Sequence, residues 1–216
     1  MSSVWFYMNG KHLHNVYVFL TWYQKIYLML KWRLMHHDYE RMHDMRKSFM
    51  DFDRIIKSLD PKKDDVVVDI GSGDGVFSLK LSELVKIVYP VDVSTSAHKA
   101  VEAKIAESKV RNVKPYIADV CNGLPVSGFN AVIFVTSFHD LECRATILKE
   151  IKRKHSGSLK ISITEFKKEG TAMGPPVSIR MSQDELDSIF APEGFVSVYH
   201  DEFGPLYINR YELVKK

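Results

Sequence analysis

Cysteine is scarce in this chain: Cys121 and Cys143 are the only two in 216 residues. Two thiols cannot build a disulfide framework or a four-cysteine zinc site, and no leader with a small-residue cleavage site opens the sequence, so a reducing, cytoplasmic location is expected. Long apolar runs are also missing. Thr21, Gln24, Lys25 and Lys31 interrupt the best candidate, "VYVFLTWYQKIYLMLKW", before it reaches the roughly 18 to 20 continuous apolar residues of a membrane span. Nor does one sign of charge dominate. The 30 Lys and Arg against 27 Asp and Glu leave +3, too slight an excess to mark a nucleic-acid surface, so nucleic acid is disfavoured as a partner.

What is present is an ordinary globular composition, 45% hydrophobic and 26% charged, with length for one sizeable core. The expected division is an aromatic and basic extension over residues 1–35 and a main domain over 36–216. Lys11, Lys25, Lys31 and Arg33 lie in the extension, with Arg41, Arg46 and Lys47 just beyond it. An amphipathic helix packed on the domain or on a second copy, an upstream extension outside the fold, and a membrane-surface helix are the three uses this stretch allows. His36, His37 and His43 with Asp38 read as a solvated helix start, so no metal site is expected.

From Tyr39 the apolar residues Met42, Met45, Phe49, Phe52, Ile55, Ile56 and Leu59 recur at helical spacing, predicting one helix that ends at "DPKKDD". The β-branched run "VVVDI" reads as a strand buried on both faces. Strands "IVYPVDV", "VKPYIADV", "NAVIFVTS" and "SLKISITEF" then alternate with helices "VFSLKLSEL", "AHKAVEAKIAES" and "CRATILKEIKRK", with "HSGS" as a turn. This alternation predicts an α/β fold, a mostly parallel sheet with helices on both faces. After "KKEGTAMGPPV", Ser182 looks like the N-cap of a helix over "SQDELDSIF", and "FVSVYH" and "LYINRYELV" read as a closing antiparallel pair.

The chemistry concentrates at "VVVDIGSGDG". Gly71, Gly73 and Gly75 are spaced GxGxG, so Val76 stands where a dinucleotide fingerprint has its third glycine, and the lysine of a triphosphate loop is absent. Asp69 precedes the first glycine by two residues. Like unit charges about 5 Å apart at an effective dielectric near 20 repel by roughly 3 kcal/mol, so this carboxylate disfavours a pyrophosphate and suits a cationic ligand. S-adenosylmethionine has a sulfonium, an ammonium group and no phosphate, and it becomes the expected cofactor. Asp92, at the end of the second strand, suits the ribose hydroxyls, and Asp119 with the Val120 N–H suits the adenine edge. Ser72, Val93 and Thr136 flank these positions and complete the expected cofactor contacts.

With these residues in place, the sequence resembles the class I S-adenosylmethionine-dependent methyltransferases, and more narrowly small prokaryotic members similar to the quinone-biosynthesis type. The resemblance covers roughly residues 36–216: "VVVDIGSGDG" carries it strongly, and "VYPVDVS", "YIADV" and "FNAVIFVTSFHDL" support it loosely. It implies a Rossmann-like seven-stranded sheet with an antiparallel last strand and the cofactor at the carboxyl ends of the first strands. "KHSGSLKI" departs from the family's lysine-proline-glycine-glycine turn, and "YPVD" carries a proline where a smaller residue is common. "HHDY" resembles the opening of related proteins, which makes Met35 an expected start.

In-line methyl transfer needs a base only if the acceptor must lose a proton. His139 and Asp140 in "TSFHDL" and Glu165 at the fifth strand's end are the expected catalytic residues, with Arg180 and Tyr207 as acceptor contacts. The Asn/Asp-Pro-Pro-aromatic motif of amino-group methylation is replaced by "TSFH", and two cysteines are too few for arsenite. A small-molecule acceptor is the leading expectation. An RNA or protein acceptor docked by the basic N-terminus, and a non-catalytic cofactor-binding module, are the other two readings.

Overall fold

The computed structural model describes Arg46, residues 48–170 and residues 173–214. The expected extension over 1–35 and the histidines at 36, 37 and 43 lie outside the described residues. Seven strands form one sheet: β1 (Val66–Ile70), β2 (Ile87–Asp92), β3 (Tyr116–Ile117), β4 (Phe129–Val135), β5 (His155–Phe166), β6 (Phe195–Phe203) and β7 (Leu206–Leu213). Their order is β3-β2-β1-β4-β5-β7-β6. The first five run parallel, and β7 enters antiparallel between β5 and β6, as expected of the last strand.

Helices α1 (Phe52–Ser58), α2 (Val76–Ser82), α3 (Thr95–Ser108), α4 (Arg144–Lys154) and α5 (Gln183–Phe190) cover the sheet. Alternate residues of each central strand feed two cores. Val68, Ile70, Val132 and Phe134 join α4 and α5 through Ile147, Leu148, Ile151, Leu186 and Phe190. Val67, Ala131 and Ile133 join α1, α2 and α3 through Ile55, Leu59, Phe77, Leu81 and Val101. This two-sided burial is why "VVVDI" and "NAVIFV" are continuously apolar.

Three local features differ from the sequence reading. Of the helix expected from Tyr39 to Leu59, residues 39–45 and 47 lie outside the described ones, and a separate helix begins at Phe52, because Asp51 adopts extended backbone and its carboxylate accepts from the Arg54 N–H as an N-cap. The third strand shrinks to two residues plus one bridge at Val113, where Pro90 on β2 has no N–H to offer it. "HSGS" is strand rather than turn: β5 begins at His155, paired with Phe129, and absorbs the irregularity before Lys160 pairs with Ala131. The Ser182 cap is present with a reciprocal Glu185 bond, a full capping box.

Between β1 and β4 the chain winds outward in both directions. That reversal opens a crevice at the carboxyl ends of the strands, where doubly wound sheets bind ligands.

Candidate cofactor cleft and acceptor site

The glycine turn occupies this crevice. Gly71, Gly73 and Gly75 all have positive φ, and a Cβ on Gly71 would lie 2.5 Å from Ser137 Cβ, so glycine is required there twice over. Ser137 Oγ in turn donates to the Ile70 carbonyl at 2.7 Å, which locks the turn to the loop after β4. Just before it, Thr136 sits at φ 53, an uncommon conformation for a β-branched residue, while its N–H continues the ladder to the Thr164 carbonyl. Ser137 was not singled out in the sequence, because its role depends on β4 lying beside β1.

The three acids stand at or just past the ends of β1, β2 and β3 in different states. Asp92 ends β2 and accepts from the Gly73 N–H and the Ser94 N–H, both at 2.9 Å, so it shapes the turn from across the crevice. Asp119 is exposed and caps a short 3-10 turn (Val120–Asn122), accepting from the Cys121 N–H at 2.9 Å and Asn122 Nδ2 at 3.0 Å. Asp69 is buried and bonded to Ser78 Oγ at 2.6 Å. Burial pushes its pKa up to about 7, Ser78 opposes that shift, and the charges of Asp92 and Asp74 add to it.

Asp74, within the same turn, is buried between two cations, Arg46 Nη1 at 3.1 Å and Lys104 Nζ at 2.8 Å. Ser72 is buried beside it, and Val93 after β2 leaves 66% of its surface exposed. These features fit an adenosyl ligand with a cationic tail. Glycines permit close backbone approach, Asp69 can balance positive charge, and the exposed Val93 offers an apolar surface beside Asp92.

On the β4 and β5 side, His139 and Glu165 meet in the interior. His139 Nδ1 lies 2.7 Å from Glu165 Oε2, the His139 backbone N–H donates to Glu165 Oε1 at 3.1 Å, and Nε2 lies 3.3 Å from Asp140 Oδ1. The two inner side chains are 0% and 1% exposed, whereas Asp140 is 51% exposed. Burial alone would lower the imidazole pKa; the Glu165 charge and hydrogen bond, helped by Asp140, outweigh it and raise the pKa. Arg144 donates to the Phe138 and His139 carbonyls and braces the loop.

The two expected acceptor contacts are otherwise engaged. Arg180 is buried and donates to the carbonyls of Pro175, Lys167, Glu169 and Met173, with its guanidinium 5.3 Å from the Phe166 ring centre. Its fork therefore folds the segment after β5 rather than facing an anion. Tyr207 donates to the Met181 carbonyl at 2.8 Å, and burial raises its pKa above the ordinary phenol value.

Two cysteines alone lead to the expectation of a reducing environment. The structure joins Cys121 to Cys143 in a disulfide. Among the described residues no helix is long and apolar enough to cross a membrane, and no group of three or more His, Cys, Asp or Glu could hold a metal ion.

Residues 67–155 match the family model of a methyltransferase domain. A curated relative, the probable cobalt-precorrin-6B C(15)-methyltransferase (decarboxylating) of Methanococcus maripaludis, is 31% identical over 97 residues, 45% of this chain and 53% of the relative. This chain thus spans about half the length of the curated relatives it matches. Among solved structures, a SAM-dependent methyltransferase from Aquifex aeolicus superposes with TM-score 0.72 at 23% identity, over 78% of this chain and 93% of that one. The N-methyltransferase NodS from Bradyrhizobium japonicum, solved with S-adenosyl-l-homocysteine, superposes with TM-score 0.63 at 12% identity, over 76% and 86%.

Proposed function

We propose that this chain, a class I S-adenosylmethionine-dependent methyltransferase by fold and by its matched domain, methylates a small-molecule acceptor. The observation that carries the cofactor side is that Asp69, Asp92 and Asp119 stand at or just past the carboxyl ends of the neighbouring strands β1, β2 and β3, with Asp92 bonded to the glycine turn. When bound, S-adenosylmethionine supplies an electrophilic sulfonium methyl group. The residues assigned to hold it are Asp92 at the ribose hydroxyls, Asp119 and the Val120 N–H at the adenine edge, and Asp69 near the cationic tail. Gly71, Ser72, Gly73, Gly75, Val93 and Thr136 form the backbone cradle and its walls.

His139, clamped between two carboxylates, is favoured in its protonated state, and its ring is sealed from solvent. We assign it and Glu165 as positioning residues. Asp140, the exposed member, is the group that can meet an acceptor and take its proton. Arg180 and Tyr207 contribute by holding the carbonyls of Lys167, Glu169, Met173, Pro175 and Met181.

The relative named for cobalt-precorrin-6B supports the small-molecule reading and offers a carboxylated tetrapyrrole as the first acceptor to test. Labelled S-adenosylmethionine supplied to a host-cell extract with the purified chain tests the proposal. Label in the small-molecule pool is expected. Label confined to RNA or protein transfers the reading to a macromolecular acceptor, and no transfer with intact cofactor binding would leave a binding module.

A further inference from the structure

The disulfide joins two loops that the sheet keeps apart. Cys121 lies in the 3-10 turn after β3 and Cys143 caps α4 after β4, with β2 and β1 between those strands, yet their Cα atoms are 5.5 Å apart. The connection from β3 reaches α4 because Val120 and Leu124 sink into the core shared with Ile147, Leu148 and Ile151. Each half of the bridge is coupled to the cleft. The Cys121 N–H donates to Asp119 Oδ1, and Arg144, next to Cys143, holds the carbonyls of the His139 loop. Both cysteines are partly buried, Cys143 against the core, and neither is fully enclosed.

We infer that Cys121–Cys143 is a thiol-reactive staple whose reduction by a dithiol loosens the cofactor cleft. The inference rests on the cofactor assignment above. A reductant thiolate attacks one cystine sulfur, a mixed disulfide forms as the Cys121–Cys143 bond breaks, and the second reductant thiol displaces the protein sulfur. Two electrons pass from dithiol to protein, and the two protons the dithiol loses leave Cys121 and Cys143 as thiols. In the reduced state, Asp119 and the His139 loop are no longer covalently tied, so cofactor binding must order them. Loss of preorganisation weakens affinity, and linkage requires bound cofactor to resist the reduction by the same factor.

The test uses the full chain and calorimetry with S-adenosylhomocysteine in three samples: oxidised protein, protein reduced with dithiothreitol, and Cys121→Ser. Intact mass reports the redox state. Affinity is expected to fall about two- to tenfold on reduction and to return on reoxidation. Cys121→Ser is expected to hold the reduced value with or without reductant. Equal affinities in oxidised and reduced wild type would overturn this inference alone, as would two free thiols in protein treated with an oxidant. Absence of binding in every sample would overturn the cofactor assignment together with it.

Discussion

His139 Nδ1 lies 2.7 Å from Glu165 Oε2, a buried pair that joins the loop after β4 to the end of β5, with the exposed Asp140 next in the chain. Glu165 holds His139 by two hydrogen bonds, one to the ring and one to the backbone N–H, and Asp140 lies 3.3 Å from the other ring nitrogen.

Replacing Asp140 by Asn is expected to lower kcat by about 10²- to 10⁴-fold, the usual contribution of a positioned base, while leaving cofactor affinity unchanged. An equal loss in cofactor affinity would place Asp140 in the cofactor site instead. Steady-state kinetics with calorimetry separate the two.

Glu165→Gln removes the larger of the two charges that raise the His139 pKa, so the imidazole is expected to titrate lower, with burial opposed only by Asp140. In the wild type the raised folded-state value means the pair's stabilisation is full below about pH 6.5, the unfolded histidine value, and is lost as pH rises through the folded value. Denaturant midpoints measured against pH should show that decline in the wild type and a weaker one in Glu165→Gln. Parallel curves would mean that the pair is not charged in the folded protein.

Asp69, with a pKa of about 7, holds a proton that the unfolded chain has already released, so its ionisation opposes folding as pH climbs from about 4 to 7. A cationic ligand favours the ionised form. Cofactor affinity is therefore expected to rise with pH through about 7, with proton release that calorimetry in buffers of different ionisation enthalpy can count. Asp69→Asn should abolish the proton release.

Asp92→Ala removes the proposed ribose acceptor and also the acceptors of the Gly73 and Ser94 N–H groups. Two charged hydrogen bonds at about 1.5 to 3 kcal/mol each predict a loss of cofactor affinity of at least about a hundredfold. Affinity within a factor of three of the wild type would contradict the assignment.

Gly71→Ala places a side chain at φ 72 and against Ser137. Left-handed backbone costs about 1 to 2 kcal/mol and overpacking adds about 1 to 3 kcal/mol. Chemical denaturation should show the sum, and Ser137→Gly in the same chain should relieve the packing part less the cost of the lost hydrogen bond to the Ile70 carbonyl.

The alternation of "VVVDI", "IVYPVDV" and "NAVIFVTS" with helices was enough to predict a doubly wound sheet, and the GxGxG spacing after Asp69 was enough to propose a phosphate-free nucleoside ligand. Both follow from local rules: burial of a strand on two faces leaves a continuous apolar run, and a glycine turn records its own backbone demands. Strand order belonged to the tertiary structure. Only the placement of β4 beside β1 brings Ser137 onto Gly71, and only the pairing of β4 with β5 brings His139 to Glu165, 26 residues away. Arg180 illustrates the same limit: an arginine near an expected pocket looks free in sequence, but the fold surrounds it with carbonyls that must be satisfied. The cysteines are the clearest case. Their separation of 22 residues says nothing of pairing, and the bridge exists because the chain leaving β3 returns across the sheet to α4 and buries Val120 and Leu124 there.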